Sequence, residues 1–110
     1  MFGIRDEAFD EFPMEGVTRR ILTYNNYLMV MEGHLVKGFV VDHVHPHTQT
    51  TYLVEGEMEA WTGDDHRIMH AGDVMVAEPN QPHGVRCLTD VTLIDTFTPC
   101  REDYIPKKPE

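Results

Sequence analysis

Four side chains carry the chemical potential of this sequence: His43, His45, Gln49 and His83. His43 and His45 alternate with Val44, and residues two apart on an extended segment share a face. Imidazole nitrogens on one face, an amide oxygen close by and a third imidazole from far along the chain form a ligand set for a first-row transition metal. Such a set leaves coordination positions open to an incoming molecule, the mark of a reactive rather than a structural site. One divalent metal is expected, and the donors suit Ni, Zn, Fe, Co or Mn without choosing among them.

The other histidines have plainer readings. His47 has the parity of His43 and His45, but Pro46 interrupts the strand before it. His66 and His70 have the four-residue spacing that matters on a helix. They fall in an extended hairpin, so they belong on the surface. His34 reads as a surface or wall residue. A second constellation lies near the end of the chain. Alternation puts Leu93, Asp95 and Phe97 on one strand face. A carboxylate between two apolar neighbours is costly to bury unless it is paired or functional. Arg101, beyond Pro99, can fold back over the same end of the domain. The bland alternative is an Asp–Arg ion pair closing a strand.

Short extended runs cut by turn signals must position these groups. The runs are 17–24, 27–35, 39–45, 50–54, 58–62, 66–70, 74–77, 83–88 and 91–97. Asn25-Asn26, Gly63-Asp64-Asp65, Ala71-Gly72-Asp73 and Thr89-Asp90 separate several of them. No segment has helical periodicity over eleven or more residues. The fold class expected is all-β, a sandwich or barrel. Residues 1–15 read as an N-terminal arm or a single helical turn, 16–104 as the domain, and 105–110 as a frayed tail.

The chain has 110 residues, the size of one domain. Nine Lys and Arg against 19 Asp and Glu give a net charge of −10. That excludes nucleic acid, which needs clustered cations. An anionic ligand would need local positive charge to offset the field. There is no apolar run of membrane-spanning length. The opening residues lack the basic-then-apolar pattern of a signal peptide, so a cytoplasmic protein is expected. Cys87 and Cys100 are then free thiols rather than a disulfide.

Gly38, His43, His45, Gln49 and Gly56, followed by Gly72, Pro79 and His83, resemble the two motifs of the cupin family. The resemblance covers residues 36–98 and implies a single-domain jelly-roll β-barrel with the metal inside it. Gln49 stands where many cupins have Glu. A neutral ligand there leaves the metal a stronger Lewis acid and friendlier to anions. The ending Asp95, Phe97, Pro99, Arg101, Asp103, with the stretches 16–22 and 45–49, is similar to the KdgF family of uronate-ketonising cupins from pectin and alginate breakdown. That resemblance implies ketonisation of 4,5-unsaturated uronates, a small anionic sugar as substrate, and Asp95, Phe97 and Arg101 as catalytic residues. Small cupins pair through sheet edges, so a homodimer is expected, with Phe2, Ile4, Phe9 and Phe12 as cover. The alternatives are another metal-dependent cupin enzyme, such as a polyketide cyclase or dioxygenase, and a sugar-binding module without turnover.

Overall fold

The computed structural model describes residues 1–106. It contains ten strands: β1 (Glu11–Met14), β2 (Val17–Tyr24), β3 (Met29–Leu35), β4 (Val40–His43), β5 (Thr48–Glu55), β6 (Glu57–Thr62), β7 (Asp65–His70), β8 (Val74–Ala77), β9 (His83–Cys87) and β10 (Val91–Thr98). Two 3-10 turns, Arg5–Glu7 and Glu102–Tyr104, flank them. Among the described residues there is no α-helix, and no helix long and apolar enough to cross a membrane.

Each of the nine expected runs overlaps a strand, β2 to β10 in order. The strands form two sheets, ordered β1-β2-β3-β10-β5-β8 and β4-β9-β6-β7. The expected barrel is therefore two facing sheets with crossovers between them, not one closed ring of hydrogen bonds. This is the jelly-roll solution to burying two apolar faces. The expected tail, 105–110, falls mostly outside the described residues. Residues 1–15 hold the Arg5–Glu7 turn and the edge strand β1. An edge is where Pro13, which has no N–H to donate, can sit in a strand.

Alternation explains the layering. On β10, Val91, Leu93, Asp95 and Phe97 are buried, while the residues between them face outward and are half-buried. β10 is central, antiparallel to both β3 and β5. The main apolar cluster joins the sheets through Leu35, Leu53, Met58, Met69, Val85 and Leu93. A second cluster, at the other end, gathers Ile21, Met29, Met31, Phe97 and Cys100, with Tyr104 against it. Both cysteines are free and buried, and burial pushes the Cys87 thiol up to about 11.

A polar latch ties the N-terminal turn to β3. Arg5 donates from Nε and Nη2 to the two carboxylate oxygens of Glu32, at 2.7 and 3.0 Å. His34 Nε2 lies 2.6 Å from Glu32 Oε2. The Arg5 hydrogen bond holds the Glu32 carboxyl down at about 2, from an ordinary 4.5. A depressed carboxyl pKa stabilises the fold fully above its unfolded value, and that stability is lost as pH falls through the folded value. Glu32→Gln should therefore lower the melting temperature at neutral pH. Its deficit relative to the parent should shrink between about pH 4.5 and about 2. A deficit of constant size across an acid titration of melting temperature would show that the latch contributes no linked stability.

Candidate active site

Antiparallel register sets the site. On β5 and β10, Gln49 stands opposite Phe97 and Thr51 opposite Asp95. On β4 and β9, His43 stands opposite His83. The larger sheet thus supplies two pairs of residues and the smaller sheet one, and all three pairs line the same cavity between the sheets. Gly84, beside His83, lets β4 and β6 close up on β9 within that sheet, since a Cβ there would collide with the Val41 carbonyl oxygen and the Trp61 ring. The cavity, of about 100 Å³, is lined by His43, Gln49, Thr51, His83, Asp95, Phe97 and Arg101.

The three imidazoles converge. Ring centroids are 4.7 Å apart for His45 and His83, 5.7 Å for His43 and His83, and 6.4 Å for His43 and His45. His45 corrects one expectation. β4 stops at His43, so His45 lies in the loop after it and not on a strand face shared with His43. Pro46 cannot donate to the ladder, which ends the strand. The Asn80 N–H, donating 2.8 Å to the His45 carbonyl, holds the loop in place.

A buried hydrogen-bond chain orients the amide. Thr51 Oγ1 donates to Asp95 Oδ1 at 2.5 Å, and Gln49 Nε2 donates to Thr51 Oγ1 at 2.9 Å. This turns Gln49 Oε1 toward the imidazoles, 2.9 Å from His45 Nε2 and 3.2 Å from His83 Nε2. Asp95 is pushed up to about 6 by burial, against the Thr51 and Gln49 hydrogen bonds and the Arg101 charge, which lower it.

Burial also lowers the pKa of His43 and of His83, favouring neutral rings. His83 Nδ1 faces the Gln81 carbonyl at 2.9 Å and must carry the proton to donate. In the neutral ring, Nε2 then presents a bare lone pair to the Gln49 oxygen. The buried His45 Nδ1 has no partner. Electron pairs facing one another in a dry site call for a cation between them. His43, His45, Gln49 and His83 thus fit a metal by their donor chemistry. Among the described residues, no three His, Cys, Asp or Glu side chains alone close into a metal cluster.

Phe97 is fully buried, with its ring 6.0 Å from His45. Arg101 reaches the same cavity, its guanidinium 5.2 Å from the Phe97 ring and 3.9 Å from that of Tyr104. Its fork is engaged by Asp103, at 3.1 Å from Nε and 2.8 Å from Nη2. His47 does not line the cavity. Its ring stands edge-on to His45 at 5.4 Å, with Nδ1 buried and unpartnered. His66 and His70 are exposed, near Glu59 and Glu57. His34 sits on the latch, away from the site.

Sequence reasoning missed Thr51, Arg19 and Tyr104. Thr51 shares strand parity with Gln49, which was the available signal. Arg19 falls in the stretch 16–22 that carries the family resemblance, but no local pattern gave it or Tyr104 a role, because only the packing of β1, β2 and the final turn brings them to the cavity.

Two facing sheets with a ring of imidazoles, an amide and a buried carboxylate between them define a small jelly-roll protein with a ligand pocket. The chain belongs to the cupin family, whose cupin-domain model matches residues 26–97. It is similar to the pectin degradation protein KdgF of Dickeya dadantii (strain 3937), with 37% identity over 103 residues, covering 87% of this chain and 94% of that one. Among solved structures, KdgF from Halomonas sp. superposes with a TM-score of 0.90 at 31% identity, covering 96% of this chain and all of that chain. An RmlC-like cupin from Shewanella frigidimarina gives a TM-score of 0.90 at 34% identity, covering 94% of this chain and 95% of that chain.

Thr51 is the link most open to test. Thr51→Val keeps shape but strands the Gln49 amide and the Asp95 carboxyl, which should cost about 1–3 kcal/mol. Thr51→Ser should retain most of that stability. Equal denaturation midpoints for the valine variant and the parent would show that the chain of hydrogen bonds stabilises nothing.

Proposed function

We propose that this protein opens and ketonises 4,5-unsaturated uronate monosaccharides to linear 5-keto-4-deoxyuronates. One divalent transition metal would be held by His43, His45, Gln49 and His83. The observation that carries this reading is the convergence of Asp95, through Thr51 and Gln49, on the imidazoles, beside Phe97 and Arg101 in one cavity. Similarity to a pectin degradation protein supports the sugar class.

The reaction is an isomerisation and needs no oxidant. The anomeric hydroxyl loses its proton, the C1 carbonyl forms and the bond from C1 to the ring oxygen breaks. The ring oxygen takes a proton and becomes the hydroxyl of an enol at C5. That hydroxyl then loses its proton as the C5 ketone forms, and C4 gains one. When bound, the metal supplies Lewis acidity to negative charge developing on the substrate oxygens. Asp95 moves the protons, accepting as carboxylate and donating as acid. Its burial places proton transfer away from bulk water. Arg101 supplies positive charge to the substrate carboxylate within an otherwise acidic protein. Phe97 packs against the sugar and excludes water.

Metal-loaded protein mixed with freshly made unsaturated uronate should speed the loss of enol-ether absorbance. Asp95→Asn should slow turnover by about 10²–10⁴ with metal content retained. His43→Ala should lose activity together with metal, read by elemental analysis. Wild-type turnover in Asp95→Asn would remove the proton-transfer role. Failure of the parent to accelerate the reaction with Ni, Zn, Fe, Co or Mn supplied would remove the function.

The same reading includes a homodimer. Phe2 is 90% and Phe12 74% exposed, apolar surface that a second copy would cover. Light scattering should give twice the chain mass at micromolar concentration, and a stable monomer would refute the pairing.

A further inference from the structure

We infer that Arg19, on β2, is a second carboxylate-recognising residue of this cavity and sets its preference for acidic over neutral sugars. The inference rests on the uronate reading above and extends it to a residue outside the metal motifs and the terminal signature.

Four observations meet at Arg19. It lines the same cavity as His43, Asp95 and Arg101. Its side chain is only 16% exposed, so its charge is largely withdrawn from water. Its guanidinium lies over the Tyr104 ring at 4.2 Å, the ring that also carries Arg101 at 3.9 Å. Its hydrogen bonding is incomplete: Nε donates to Glu11 Oε1 at 3.2 Å, and among the described residues the two terminal nitrogens donate to nothing.

The contrast with Arg101 decides the assignment. Arg101 already spends Nε and Nη2 on the two oxygens of Asp103. A ligand carboxylate meeting Arg101 must displace that partner or use the remaining nitrogen. Arg19 asks for no exchange. Its free edge is the geometry that a carboxylate takes in a bidentate pair. Two long cationic side chains against one aromatic ring repel each other unless an anion joins them. Glu11 and Asp103 moderate that repulsion, and a ligand carboxylate would complete it. Glu11 belongs to β1, so the edge strand has a reason to be there: it fixes the stem of Arg19 and leaves the tip open.

Substitution at Arg19 separates recognition from architecture. Kinetics with unsaturated uronate give KM and kcat, and calorimetry with galacturonate and galactose gives affinity for a charged and a neutral sugar without turnover. Arg19→Met should raise KM and weaken galacturonate by about 10–100-fold, the loss of one charge-assisted pair. It should change kcat far less and leave galactose unaffected. Arg19→Lys should fall between, keeping charge but losing the fork. Glu11→Gln breaks the same ion pair without removing the cation, and should lower KM. If Glu11→Gln raises KM as much as Arg19→Met does, Arg19 acts only by holding β1 and the inference is wrong. If Arg19→Met unfolds, the lysine and glutamine variants still decide the matter by their opposite shifts. A parent enzyme that turns over while Arg19→Met matches its KM and galacturonate affinity overturns this inference alone. A parent that neither turns over nor prefers galacturonate to galactose overturns it together with the proposed function.

Discussion

The burial of Asp95 constrains nearly everything around it. A carboxyl group between Leu93 and Phe97 on the central strand has no water to solvate it, so the protein must supply partners. Thr51, directly across the β5–β10 ladder, donates to it. That leaves the Thr51 oxygen to accept from Gln49, and the amide is thereby turned with its oxygen toward the imidazoles. The orientation of the site is thus a by-product of satisfying one buried acid. A one-residue slip between β5 and β10 would separate the partners and turn the inward residues of one strand outward.

The same demand explains the division of labour between the sheets. The end of the sandwich filled by Leu53, Met58 and their neighbours is apolar and holds the sheets together. The cavity that holds the polar groups is walled by apolar side chains of both clusters, Leu35, Met75, Val85 and Leu93 from one and Met31 and Phe97 from the other. Electrostatic interactions are stronger there than at the surface. A net charge of −10 would repel an anion from most of this molecule, yet Arg19 and Arg101 both stand at the cavity. Local cations in a sheltered place outweigh a screened field spread over the whole surface.

Much of this was readable in the residues. Turn signals between short extended runs located the strands. Period-two alternation placed Asp95 and Phe97 inward, since parity along a single strand needs no tertiary information. Three things were beyond both. The end of β4 at His43 depended on how far Pro46 disrupts the ladder, a local competition that residue types describe poorly. The separation into two sheets depended on hydrogen bonds between strands distant in sequence. Arg19 and Tyr104 depended on two flanking segments meeting over the cavity, and no periodicity encodes a meeting of that kind.

Those flanks divide the cavity by origin. His43, Gln49, Asp95 and Phe97 lie inside residues 26–97, the stretch that matches the shared cupin domain. Pro13, Met14, Arg19, Arg101 and Tyr104 line the same space from outside it. The inner wall is bound to the folding core, where most changes cost stability. The outer wall is carried by an edge strand and a terminal turn, which can vary while the core stays as it is. Selection can therefore rework which molecules are admitted without first solving the fold again. A protein built this way is evolvable at its rim and conservative at its centre.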